Sequence, residues 1–75
     1  MNQYPPSDEF TRGSWKPFTK ATGEPSAAFT CPVCGTTGML FDHAIAPDGT
    51  VTPSVVCPKE GCTFHEMIRL EGWNG

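Results

Sequence analysis

Two cysteine pairs carry the chemistry available to this chain. They are Cys31-Pro32-Val33-Cys34-Gly35 and Cys57-Pro58-Lys59-Glu60-Gly61-Cys62, with 22 residues between Cys34 and Cys57. Each pair forms a short turn that presents two thiolates to one point, and two such turns make a four-sulfur site. Zn²⁺ is the ion that most often fills a site of that composition. Cys31, Cys34, Cys57 and Cys62 are therefore the candidate ligands. The second turn holds four residues between its cysteines, and His65 follows three residues after Cys62, so His65 is the alternative fourth ligand. Two disulfides would use the same four residues. However, the opening Met1-Asn2-Gln3-Tyr4-Pro5-Pro6 has neither the positive start nor the apolar run of a signal peptide. The expectation is a cytoplasmic chain, where thiols stay reduced and four of them suit a metal.

Catalysis is not expected at such a site. A catalytic zinc keeps one coordination position open for water, and four thiolates leave none. No glutamate stands beside a ligand as a general base. His43 and His65 are the only histidines. His43 follows Asp42, but neighbouring residues on a strand point to opposite faces and do not form an acid–base pair. A redox role for Cys-x2-Cys calls for a helix directly after the pair, whereas Gly35-Thr36-Thr37-Gly38 reads as a loop.

The elements that must position the cysteines are short strands. With 75 residues, eight Gly and eight Pro, the chain is a single small domain poor in helix formers. Chains of this size commonly need a metal, disulfides or a partner to fold. Ala27–Thr30 leads into the first turn as a strand. Met39–Ile45 reads as a second strand, Ala46-Pro47-Asp48-Gly49 as a turn, and Thr50–Val56 as a returning third strand that lies at an edge or breaks at Pro53. Thr63–Leu70 reads as a last strand with Phe64, Ile68 and Leu70 facing one way; a helix over 64–71 is the alternative. Trp73 is expected to pack on this unit or on the N-terminal segment.

Taken together, Cys31-Pro32-Val33-Cys34-Gly35, the intervening hairpin, and Cys57-Pro58 with Cys62 resemble the zinc-ribbon family over residues 29–71. The resemblance implies a small metal-stabilised β fold: a three-stranded antiparallel sheet with two facing turns joined by a four-cysteine zinc site. The departure is the wider second turn, where two residues between cysteines are usual. The first turn also looks like a rubredoxin turn, which makes iron the runner-up metal. Rubredoxins repeat that turn with the same spacing, and this chain does not.

The segment 1–26 has no counterpart in the family and reads as an extended N-terminal arm on a 27–75 zinc-ribbon domain. Pro5-Pro6, Gly13, Pro17, Gly23 and Pro25 interrupt any period, and Ser7 can cap at most one helical turn before Gly13. The first 30 residues hold Tyr4, Phe10, Trp15, Phe18 and Phe29, five of the eight aromatics. Disordered tails are poor in aromatics, so this segment is built to lie on the ribbon's own face or on another protein. Tyr4, Phe10, Trp15 and Phe18 are the candidate anchors. The function these features imply is a non-enzymatic interaction protein, a small accessory subunit docking on a larger protein assembly, a viral particle included. It would reside in the cytoplasm or in a virion assembled there. The alternative is a nucleic-acid-binding or transcription adaptor using Arg12, Trp15, Lys16, Phe18 and Lys20. Charge opposes it: the chain carries −3, and four thiolates with one Zn²⁺ contribute a further −2. No run approaches the roughly 20 apolar residues of a membrane-spanning helix, and no small-molecule substrate is implied.

Overall fold

The computed structural model describes residues 2–41 and 43–74, and these form nine short strands and no helix. The strands are β1 (Asn2–Tyr4), β2 (Ser14–Thr19), β3 (Pro25–Thr30), β4 (Thr37–Met39), β5 (Ala44–Ile45), β6 (Val51–Thr52), β7 (Val55–Val56), β8 (His65–Glu66) and β9 (Ile68–Leu70). A three-stranded antiparallel sheet is present, in the order β2-β3-β4. Its strands differ from those the sequence suggested. The longest pairing joins β2 to β3, with Ser14 opposite Thr30 and Thr19 opposite Pro25. The segment expected as an extended arm thus supplies one strand of the main sheet, and the expected boundary at 26/27 falls inside β3.

The breaker residues explain why this strand was not legible. Lys20 donates its N–H to the Glu24 carbonyl (2.9 Å), and Gly23 donates to Lys20 (2.8 Å) at φ 89°. Gly23 therefore closes a hairpin rather than ending all structure. In an antiparallel ladder, alternate residues turn their backbone groups away from the partner. Counting back by twos from the Lys20–Glu24 pair, Phe18 and Lys16 face β3, while Pro17 and Trp15 face outward. Trp15 indeed donates its outward N–H to the Pro5 carbonyl (3.1 Å). Pro17 therefore occupies a position where its missing N–H costs no ladder bond.

The N-terminal end is tied down as well. β1 runs parallel to β9, with Asn2 opposite Ile68 and Tyr4 opposite Leu70. The Tyr4 hydroxyl donates to Glu66 Oε1 (2.9 Å), and Asn2 Nδ2 donates to the same oxygen (2.8 Å). The Tyr4 ring meets Phe29 edge-on at 5.0 Å, and Phe29 stacks on Phe64 at 5.8 Å. Trp15 is buried, lies 5.7 Å from Trp73, and donates its indole N–H to the Glu71 carbonyl (3.0 Å). Of the two surfaces this segment could have covered, Tyr4 and Trp15 cover the chain's own core. Phe10 and Phe18 stay exposed. Ser7 starts no helix; its hydroxyl accepts the Glu9 N–H within a turn.

The remaining elements follow the sequence more closely. The expected strands Met39–Ile45 and Thr50–Val56 are each divided: Met39 belongs to β4 and pairs with Ala28, Ala44–Ile45 and Val51–Thr52 form the β5–β6 hairpin, and Val55–Val56 pairs with β8. The Ala46–Gly49 turn forms as read, with Gly49 donating to Ala46 (2.8 Å). Gly49 is required there: its φ is 92°, and a Cβ would collide with the Leu70 carbonyl oxygen. β6 stops at Thr52, before Pro53, and β7 resumes at Val55. The last segment is extended, in two pieces separated by Met67, with Phe64, Ile68 and Leu70 all buried.

The packing generates a contrast. Trp15→Ala removes a buried ring that joins β2 to the C-terminal turn, and should cost about 3–5 kcal/mol. Phe18→Ala removes only an exposed contact to Phe41, 5.5 Å away, and should cost about 1 kcal/mol or less. Denaturant unfolding of the two variants checks this.

Candidate metal centre

The two cysteine turns sit where the sheet ends. Cys31 directly follows β3, and Cys57 directly follows β7. In the first turn, Cys31 donates its N–H to the Thr36 carbonyl (2.9 Å), and Gly35 donates to the Cys31 carbonyl (3.0 Å). Gly35 adopts φ 79°, the left-handed conformation that lets the chain turn back toward β4. The sulfur of Cys31 accepts from the Val33 N–H at 3.4 Å. Gly35 serves the turn through the Cys31 carbonyl and not through the sulfur. In the second turn, Cys57 donates to the Phe64 carbonyl and Cys62 to the Lys59 carbonyl, each at 3.1 Å. Gly61, at φ 85°, allows the wider loop to return its second cysteine to the site.

These turns bring the Sγ atoms of Cys31, Cys34, Cys57 and Cys62 within 4.8 Å of one another. Cys34 and Cys57 are 3.5 Å apart, and Cys31 and Cys62 are 3.7 Å apart. None is disulfide-bonded. A tetrahedral ion with bonds of about 2.3 Å to sulfur sets its ligands roughly 3.8 Å apart along each edge. The separations fit a shared ion and exceed the roughly 2.0 Å of a covalent bridge. The cluster can therefore hold a metal ion. Tetrahedral S₄ suits zinc or iron alike.

The electrostatics of the four sulfurs are uneven. The Thr36 side chain, with Cys34 Sγ 3.3 Å from its Oγ1, and the Thr36 backbone hold the Cys34 thiol down at about 6. The Lys59 N–H draws the Cys57 thiol the same way. Burial and the three neighbouring thiols outweigh it and push Cys57 up to about 12. The Thr36 contacts thus favour the charged form at Cys34, while burial and the neighbouring sulfurs disfavour it at Cys57.

His65 is not at the cluster. It lies on β8, exposed, with Nε2 in hydrogen-bond contact with the Ser54 hydroxyl. His43 lies just before β5, half-buried, its Nε2 3.3 Å from the Ser54 carbonyl oxygen. Its suggested partner Asp42 lies outside the described residues. The grouping of both histidines around Ser54 was not foreseen; it depends on the β7–β8 pairing, which no local pattern announces. Thr36 was likewise missed, although a hydroxyl two residues after a cysteine is a readable signal. Of the four suggested anchors, Phe10 and Phe18 remain on the surface and Tyr4 and Trp15 do not.

No family model, curated protein or solved structure matches this chain.

Two outcomes follow from this geometry. Cys62→Ser should weaken metal binding by more than about 100-fold, while His65→Ala leaves it unchanged, as read by competition with a chromophoric chelator. Metal occupancy should fall as pH is lowered from about 8 to about 5, because protons compete for the thiolates. Loading at neutral pH should release protons from the cluster, which titration in weak buffer measures.

Proposed function

We propose that this chain is a non-enzymatic zinc-binding interaction protein: a zinc ribbon, held by Cys31, Cys34, Cys57 and Cys62, that serves as a small accessory subunit on a larger protein assembly. The observation that carries the zinc reading is the convergence of four sulfurs from two separate turns within 4.8 Å. Four thiolates satisfy a tetrahedral ion completely, which suits structural zinc and leaves no position for substrate or water. Zinc is favoured over iron because the second turn does not repeat the first.

The interaction reading is supported by what remains exposed. Lys16 and Phe18 lie on the face of β2 opposite Trp15. Phe18 packs on Phe41, and the Lys16 ammonium sits 5.2 Å over the Phe10 ring. These side chains are Phe10 and Phe18 from the originally suggested anchors, joined by Phe41, each exposing two-fifths or more of its surface. A face with three accessible aromatics and few charges favours a protein partner. The nucleic-acid alternative loses its best stacking group, since Trp15 is buried.

Metal analysis of the purified chain should give one zinc per molecule. Removing it with a chelator should unfold the domain, since apparent zinc-binding energies for small structural sites are about 10–16 kcal/mol. Circular dichroism and NMR dispersion read the outcome. A metal-free chain with an unchanged fold would falsify the structural-zinc reading. Partner capture by the zinc-loaded chain should persist after nuclease treatment and fall on Phe18→Ser. Loss of capture with nuclease would instead favour the nucleic-acid adaptor.

A further inference from the structure

Beside the cysteine cluster lies an apolar cavity of about 150 Å³. Phe29, Leu40, Val55 and Phe64 line its inner wall, and Met39 and Val56 stand exposed at its rim. A cavity of that volume with apolar walls holds a benzene-sized group, the bulk of one Leu, Met or Phe side chain.

Both β4 and β7 contribute residues to this cavity, and both are edge strands. The ladders show which backbone groups they leave open. Leu40 donates to the Ala27 carbonyl and Cys31 donates to the Thr36 carbonyl. Gly38, two residues from each of Leu40 and Thr36, therefore faces β3, while Thr37 and Met39 turn their N–H and C=O groups outward. On β7, Cys57 donates to the Phe64 carbonyl, so the groups of Val56 turn away from β8 by the same alternation. Among the described residues, the N–H and C=O groups of Thr37, Met39 and Val56 make no backbone hydrogen bond outside these ladders. His43 also lines the cavity, with Nδ1 buried and without a partner.

We infer that this groove binds an extended polypeptide segment of a partner protein, which adds as a strand to the edge of β4 and sets one apolar side chain into the cavity. The register follows from the sheet. A residue directly opposite Gly38 points to the same face as Gly38 and Phe29, which is the face that carries the cavity. Gly38 and Pro58 face each other across the cavity wall: a Cβ at 38 would come to 3.4 Å from the Pro58 ring, so a larger side chain there would narrow the cavity. Main-chain bonds to Thr37 and Met39 would supply affinity, and the cavity would select the side chain. The His43 Nδ1 offers a polar contact at the same site. The inference deepens the reading of this chain as an interaction module. It assigns a second surface besides the Phe18–Phe41 face.

The test begins with the zinc-loaded full chain and a displayed library of random peptides about ten residues long. Selected peptides should share one medium-sized apolar residue flanked by alternating side chains. In NMR titration they should shift Thr37, Met39 and Val56 and slow hydrogen exchange at the Thr37 and Met39 amides. Gly38→Val, which fills the space, should weaken binding by about tenfold or more. Val56→Lys provides a second, surface variant if the first misfolds, and it should also weaken binding. Failure of the library to yield binders to a folded, zinc-loaded chain would overturn the inference, while the zinc reading would survive. Selected peptides that map to Phe18 and Phe41 would overturn it too. So would shifts at β4 that follow the chain's own concentration, since a second copy would then be the occupant.

Discussion

Four sulfur atoms within 4.8 Å of one another are a constraint on everything around them. As thiolates they repel, and as thiols they are weakly paired polar groups. A cation at their centre turns the arrangement from cost to gain. The two turns hold the ends of different elements: Cys31 follows β3, and Cys57 follows β7. Joining them draws the main sheet against the β7–β8 pair, where the rings of Phe29 and Phe64 stack on each other. The small core of a 75-residue chain would be hard pressed to hold these elements together unaided.

A second closure operates away from the cysteines. The parallel pairing of β1 with β9 links opposite ends of the chain, and Glu66 accepts from both Asn2 and Tyr4. Trp15 and Trp73 add an apolar contact between the same two regions. Closing the chain between these regions has an entropic cost that rises slowly with loop length. Any cross-link inside the interval shortens the loop that remains to be closed. The cysteine cluster lies within that interval and is placed to do so.

The candidate site was legible because its signal is local. Two cysteine turns with proline and glycine in fixed places specify their own geometry, and the structure brings all four sulfurs together. The turn at Ala46–Gly49 and the extended character of Thr63–Leu70 were legible for the same reason. The N-terminal segment was not. Pro17 and Gly23 look like interruptions until the ladder shows Pro17 at an outward position and Gly23 in the hairpin turn. Proline penalises a strand only where its N–H is needed, and which positions those are depends on the partner strand. The aromatic count indicated that this segment is not a disordered tail, and β2 within it is a strand of the main sheet. The count could not say that Tyr4 and Trp15 would be spent on the chain's own core while Phe10 and Phe18 stayed outside.

The cavity and the cysteine cluster share walls, since Cys31 and Cys57 line both. That adjacency has a thermodynamic consequence under the proposed reading. A segment that binds only the folded groove stabilises the folded state, and a metal that binds only the assembled cluster stabilises the same state. Each must then raise the apparent affinity for the other by an equal factor, because both draw on one folding equilibrium. The coupling needs no conformational signal between the sites. It is largest where the metal-free chain is mostly unfolded and vanishes once the fold is saturated. In a chain of this size the metal would therefore act as more than a staple: it would decide how much of the population presents a groove at all.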